Sequence, residues 1–240
     1  MSGHSKWAGI KHKKALVDAK RGSSFTKLAN NITVAAKQGG GDPVMNASLR
    51  LAIEKARGAN MPKDNIERAV KRGTGESGGA AVEEVLYEGF GPGGVAILVE
   101  ALTDNRNRSN SDIRNIFNKN GGRMPEGGGI AYQFGQKGVV RADLSDANLD
   151  VFEEAVIESG ADDYTLGDDF ATVYTSIPDL HRVKDELEAK GFKIGSAKIE
   201  RIPNLPIELA DEEDLEKAFK LIEVLEENDD VTNVFTNLAE

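Results

Sequence analysis

The chain has 240 residues, a formal net charge of -10 and no cysteine. Without a thiol there is no disulfide, no thiolate metal site and no Cys nucleophile, which fits a reducing cytosol. The N-terminus is basic but no apolar segment follows it, and no run approaches the roughly 20 apolar residues that span a bilayer, so a soluble, unprocessed cytoplasmic protein is expected.

At this length two or three domains are expected. The net charge conceals a split: residues 1–73 hold 15 Lys and Arg against 5 Asp and Glu, whereas residues 74–240 hold 15 against 35. A basic head on an acidic body suits a protein that touches nucleic acid with one part and keeps the other part off it.

Residues 5–21 read as a helix, followed by Gly22-Ser23-Ser24 as a stop and a new cap. Phe25, Leu28, Ala29, Ile32, Ala35 and Ala36 repeat at the spacing of one buried helical face and run up to the glycines at 39–41. A third helix is expected over about Asn46–Arg57 and a fourth, opened by Pro62, up to Gly73. Together these make a small helical domain with a thin, Ala-rich core and closely packed helices. Gly73–Ala80 reads as a hinge, because it is small and lacks apolar anchors.

Val95–Leu102 is a continuous apolar run between glycines and Asp104, as a central strand would be, and a capped helix follows on Ile113, Ile116 and Phe117. Residues 138–201 then give strand, helix, a hairpin across Gly167-Asp168, helix and strand. That order, βαββαβ, is the ferredoxin-like split arrangement. The C-terminal pieces, a short apolar strand at Leu205–Leu209, a helix at Asp214–Glu227 and a strand at Val231–Phe235, are expected to complete a second such domain with Val95–Asn120. The fold class is therefore α+β: a small N-terminal helical domain over residues 1–73, then two ferredoxin-like α+β domains, one inserted in the other. The discontinuous one spans 81–134 plus 204–240 and the insertion 135–203.

The charge split directs attention to the head. Lys6, Lys11, Lys13, Lys14, Lys20 and Arg21 share their stretch with a single carboxylate, Asp18, and repel one another unless water or a polyanion compensates them. Trp7 and His12 set flat side chains among these cations, which suits contact with bases or sugars. Lys27 continues the basic series. Arg106 and Arg108, with Arg114 beyond them, cluster at the start of the helix after the apolar strand, where guanidiniums can fork onto phosphate beside the positive helix end. The alternative is a polar capping loop of Asp104, Asn105, Asn107 and Ser109 that the arginines only decorate.

Other motifs carry less. Gly89, Gly91 and Gly94 match G-x-G-x-x-G in spacing but precede a strand instead of opening a helix, so a tight turn with Pro92 is expected, not a dinucleotide site. His4, His12 and His181 lack ligand spacing, and nothing near Glu83, Glu84 or Glu88 supplies a nucleophile, so no metal, cofactor or catalytic residue is assigned.

The segments GHSKW and IKHKKA, KRGSSFTKL, NASLRLAIEKARGANMP, YEGFGPGGVAILVEALTDNRNR and NKNGG, in this order, resemble the YebC/PmpR family over essentially the whole chain. Its members are described as probable transcriptional regulatory proteins, and a mitochondrial relative is the translational activator of cytochrome c oxidase. The resemblance implies a helical N-terminal domain, two α+β domains, a cytoplasmic location and no catalysis. It also implies DNA binding in some members and ribosome association in others. Two segments depart from the family pattern: Asn30 and Asn31 stand where an Arg-Glu pair is common, and NGGRMPEGGGIAYQF replaces a Gly-Ser segment.

The expected function is a non-enzymatic, nucleic-acid-binding regulator of gene expression. Its contacts are Lys6, Trp7, Lys11, His12, Lys13, Lys14, Lys20, Arg21 and Lys27 in the head and Arg106 and Arg108 beyond it. Its partner is promoter DNA or, alternatively, ribosomal RNA on the ribosome, with no membrane, no small-molecule substrate and a monomeric state. The head carries no base-reading set of Asn, Gln and Arg on one helix, so the residues by themselves favour shape and backbone recognition, as of structured RNA. The family descriptions favour DNA. A protein-interaction adaptor with an incidental basic head is the reading from another class.

Overall fold

The structure is a computed structural model that describes residues 25–76, 78, 82–145, 147–167 and 169–239. The helix expected over residues 5–21 lies outside them. The chain divides into two compact units, Met1–Ala131 with Pro206–Glu240, and Tyr132–Leu205.

The first unit begins with three helices, α1 (Phe25–Gly39), α2 (Ala47–Gly58) and α3 (Lys63–Thr74). Leu28, Ile32, Leu49, Ile53, Ala56, Met61, Ile66 and Ala69 form their common core. Asn46 makes the corner between α1 and α2. Its side-chain amide donates to the carbonyls of Ala35 and Gly40 at 2.7 and 2.9 Å, while its oxygen accepts from Leu49 N at 3.0 Å and caps α2. One buried residue thus satisfies orphan groups at both helix ends. Gly73, expected to open a hinge, is helical instead. Gly73 lies inside α3, and a Cβ there would overlap the Thr33 carbonyl and stand 2.7 Å from Ala36 Cβ. The glycine is an interhelical contact, and α3 ends at Gly75 in the left-handed conformation.

A three-stranded antiparallel sheet follows in the same unit, ordered β1 (Glu83–Phe90), β2 (Ala96–Thr103), β7 (Val231–Thr236). Helices α4 (Arg106–Lys119) and α7 (Glu212–Glu227) share its core, in which Ile97, Val99 and Ala101 meet Ile113, Phe117, Leu221 and Leu225. The apolar run at 95–102 is the central strand, as expected. Strand β1 was not foreseen: EEVLYEGF carries three glutamates, yet its alternate residues Val85 and Tyr87 are buried and pair with β2 through a hairpin at Pro92. The segment Leu205–Leu209, expected as a strand, contributes one parallel bridge, Ile207 to Leu238. Asp211 caps α7 by accepting from the backbone N–H of Glu213 and Asp214, with three acids in the first turn where the helix dipole favours them.

The second unit is β3 (Phe134–Asp143), α5 (Leu149–Glu158), β4 (Asp163–Leu166), β5 (Phe170–Thr175), α6 (Leu180–Ala189) and β6 (Lys193–Pro203), with sheet order β4-β5-β3-β6. This is the ferredoxin-like arrangement, with a core of Val140, Ala142, Phe152, Ala171, Val173, Val183 and Leu187. Strands β3 and β6 are longer than the sequence suggests, because they pair from Phe134–Pro203 to Asp143–Lys193. Pairing at Phe134–Pro203 and a bond from Asn204 N to Gln133 O at 2.7 Å bring the ends of the unit together, as an inserted domain requires.

Candidate nucleic-acid interface

Eight of the sequence-derived contact residues, Lys6, Trp7, Lys11, His12, Lys13, Lys14, Lys20 and Arg21, lie outside the described residues. Of the remaining three, Lys27 is half-buried on α1 and donates its ammonium to the Glu226 carbonyl at the end of α7. Neighbouring Asn30, buried at 3% exposure, donates to Asp229 O at 3.1 Å. Position 30 therefore faces the α7–β7 turn rather than solvent, and the asparagine there serves packing.

The three-helix part still presents a basic surface. Among the described residues, the exposed Lys55, Arg57 and Lys71 have no carboxylate partner, whereas Lys63 pairs with Glu67 at 3.4 Å and Arg50 donates to the carbonyls of Pro43 and Val44. Surface ion pairs such as Lys63–Glu67 are weak, so most of this charge stays available to a polyanion.

Arg106 and Arg108, treated alike on the sequence, separate in the structure. The turn between β2 and α4 is closed by side chains: Asn105 caps the helix by accepting from Arg108 N at 3.1 Å, and its own N–H donates to Thr103 Oγ1 at 2.9 Å. Buried Ser109 donates to a neighbour through an oxygen network with Thr103 Oγ1 at 2.7 Å and Asp230 Oδ2 at 2.6 Å. The Arg108 guanidinium joins this network, 3.1 Å from Asp230 Oδ2 and 3.2 Å from Asp104 Oδ1, and Arg72 approaches Asp104 from α3 at 3.4 Å. Hydrogen bonding to Asp230 and its charge raise the Arg108 pKa further. Arg108 therefore ties α4 to the turn before β7, which is more than the decorating role the capping-loop alternative gives the arginines.

Arg106 points elsewhere. With Asn107, Asn110 and Arg114 of α4 it lines a cleft of about 530 Å³, closed opposite by Tyr87 and Glu88 of β1 and by the loop Met124–Gly128. Neither Arg106 nor Arg114 has a carboxylate partner among the described residues. The loop is pinned from behind: Glu88 accepts from the N–H of Ile130 and of Ala131, the latter at 2.9 Å. Tyr87 donates its hydroxyl to the Arg106 carbonyl at 3.4 Å, and burial raises its pKa. The two asparagines escape a reading by motif. Their signal is spacing, since positions 106, 107, 110 and 114 fall within an arc of about 100° on a helix of 3.6 residues per turn.

Among the described residues no group of three or more His, Cys, Asp or Glu is placed to hold a metal, and no helix is long and apolar enough to cross a membrane. Of the glycines at 89, 91 and 94, Gly89 lies in β1 paired with Ile97, while Gly91 and Gly94 belong to the β1–β2 turn around Pro92.

Residues 5–76 match the family profile described as "TACO1/YebC protein N-terminal domain", and residues 82–238 the profile "TACO1/YebC second and third domain". A protein of Persephonella marina named "Probable transcriptional regulatory protein" is 51% identical over 238 residues, covering 99% of this chain and 95% of its own. One of the same name from Acidithiobacillus ferrooxidans is 54% identical over 237 residues, covering 99% and 94%. The crystal structure of a conserved hypothetical protein from Aquifex aeolicus, 44% identical, aligns over 93% of this chain and 92% of its own with a TM-score of 0.80. With both profiles matched in order across nearly its whole length, the chain belongs to the TACO1/YebC family.

Proposed function

We propose that this chain is a non-enzymatic, cytoplasmic regulator of gene expression that acts by binding nucleic acid through its basic head. The observation that carries the reading is the charge division, 15 basic against 5 acidic residues in 1–73 and the reverse imbalance beyond. Cations on one part and a repelling remainder orient a protein on a polyanion without any base contact. The relatives' name, "Probable transcriptional regulatory protein", supports transcription as the process and DNA as the polymer. The scattered cations of the head, without a reading helix among them, support a translation factor on ribosomal RNA as the second reading, because structured RNA is recognised by shape and backbone.

In-cell crosslinking followed by sequencing of the attached nucleic acid tests both readings at once. Recovery of promoter DNA supports the first reading and recovery of ribosomal RNA the second; recovery of neither defeats the proposal. In solution, about five neutralised phosphates give a slope of log affinity against log salt near -4 on duplex DNA, and a slope shallower than about -1 removes the mechanism.

A further inference from the structure

We propose that the cleft between α4, β1 and the Met124–Gly128 loop binds an unpaired nucleic-acid strand. Arg106 and Arg114 would take phosphates, and Asn107 and Asn110 would take base edges. This rests on the reading above that the protein binds nucleic acid, and adds a second contact on the part of the chain that is acidic overall.

Four observations carry it. First, the two guanidiniums facing the cleft lack carboxylate partners among the described residues, whereas Arg108, two residues after Arg106 and on another side of α4, is held by Asp104 and Asp230. A fork of donors left open in a concave site fits phosphate in two-pronged fashion. Second, the groups between the arginines are amides, which donate and accept side by side as base edges do, and guanidinium planes can stack on an unstacked base.

Third, the facing wall is glycine-rich backbone. Beyond Met124, Pro125 and Glu126 the loop continues as Gly127 and Gly128, with φ of +95° and +74°, and no atom lies within 4 Å of where a Gly127 Cβ would stand, so a sugar-phosphate chain can come close there. Two carboxylates line the cleft beside the two arginines: Glu88, whose Oε2 accepts from the Ile130 and Ala131 N–H groups, and Glu126, exposed on the loop. Fourth, the shape selects the form of the polymer. A volume of about 530 Å³ suits a ligand of nucleotide size. A helix reads duplex DNA by protruding into a groove, whereas this face of α4 is recessed between a strand and a loop. Eight residues of α4 separate Arg106 from Arg114 by about 12 Å, which leaves room for more than one nucleotide along the cleft.

The test uses the full chain and a labelled, unstructured oligonucleotide, compared with its duplex form, by fluorescence anisotropy across a salt series. Arg106→Gln/Arg114→Gln is expected to weaken single-strand binding about tenfold or more, to flatten its salt slope by about 1.4 for two lost phosphates, and to leave duplex binding unchanged. Asn107→Ala/Asn110→Ala, which keeps the charge, is expected to weaken single-strand binding with no change of slope. Lys11→Glu/Lys13→Glu/Lys14→Glu, with the cleft intact, is expected to weaken binding of both forms. Failure of the unmodified chain to bind either form defeats the proposed function. Unmodified binding together with full single-strand affinity in both cleft variants overturns the cleft assignment alone. Binding of a labelled acidic peptide that is lost in both cleft variants, while their single-strand binding persists, also overturns it and makes the cleft a peptide site.

Discussion

Replacing Gly73 with alanine opposes two effects of known sign. In a helix interior the substitution ordinarily stabilises by about 1 kcal/mol, because alanine has the higher helix propensity. Here the added Cβ would overlap the Thr33 carbonyl oxygen and stand 2.7 Å from Ala36 Cβ and 3.1 Å from Lys37 N. Relief by rotation is unavailable, since these neighbours are backbone or a short side chain. Thr33 is further held by a bond from its hydroxyl to Ala69 O at 3.1 Å, and both Thr33 and Ala36 are 1% exposed. Overpacking costs about 1–3 kcal/mol, and overlap with a backbone oxygen places this site in the upper part of that range, about 2–3 kcal/mol, so the net expectation after the propensity gain is a loss of about 1–2 kcal/mol confined to the α1–α3 contact. Gly58, the last residue of α2, has open space around its missing Cβ, and Gly58→Ala is expected to stabilise by about 0.4–1 kcal/mol. Hydrogen–deuterium exchange of the α1 amides reads the region directly. Gly73→Ala should accelerate it about 5–30-fold and Gly58→Ala should slow exchange in α2. Exchange in Gly73→Ala equal to or slower than in the unmodified chain would refute the close-packing argument.

Phe117, fully buried in the sheet core against Gly89 and Gly122, should lose about 3–5 kcal/mol on truncation to alanine, measured by urea unfolding. In the second unit Glu200 is only 9% exposed and held by Arg141 and by Lys198 at 3.1 Å; burial pushes its pKa up, but the two cations overcome this and hold it low. Arg141→Met should therefore cost about 1–2 kcal/mol, less than a fully stranded charge because Lys198 remains, and Arg141→Met/Glu200→Leu should recover most of it by removing the half-paired carboxylate. Asp143 is lowered from 3.8 to about 2 by hydrogen bonds from Ser145 and Lys193. Because the folded value is the lower one, its stabilisation is complete above about pH 4 and is lost as pH falls towards 2. Asp143→Asn should accordingly be less stable than the unmodified chain at pH 6 and converge with it at pH 2. Arg108→Gln should weaken the joint of α4 to the turn before β7, seen as faster exchange at Ser109, without changing nucleic-acid affinity.

Much of this protein is written in local pattern. Helical spacing at 25–36, the apolar run at 95–102 and the βαββαβ order after 138 each record which face must be buried, and burial is what selects helix or strand. The charge split is equally local, since it is a sum over residues. Strand β1 was hidden because its glutamates mask a two-residue alternation that shows only once Val85 and Tyr87 meet β2. Gly73 has the composition of a hinge, and only the approach of α1 makes it a contact. The difference between Arg106 and Arg108 is the clearest case. Adjacent in type and spacing, they diverge because Asp230, 122 residues from Arg108, folds back beside one of them. Sequence determined which side chains could carry charge or enter a core. Which charges were neutralised, and which were left facing a cleft, depended on distant residues brought within hydrogen-bond range, and no local pattern encodes that proximity.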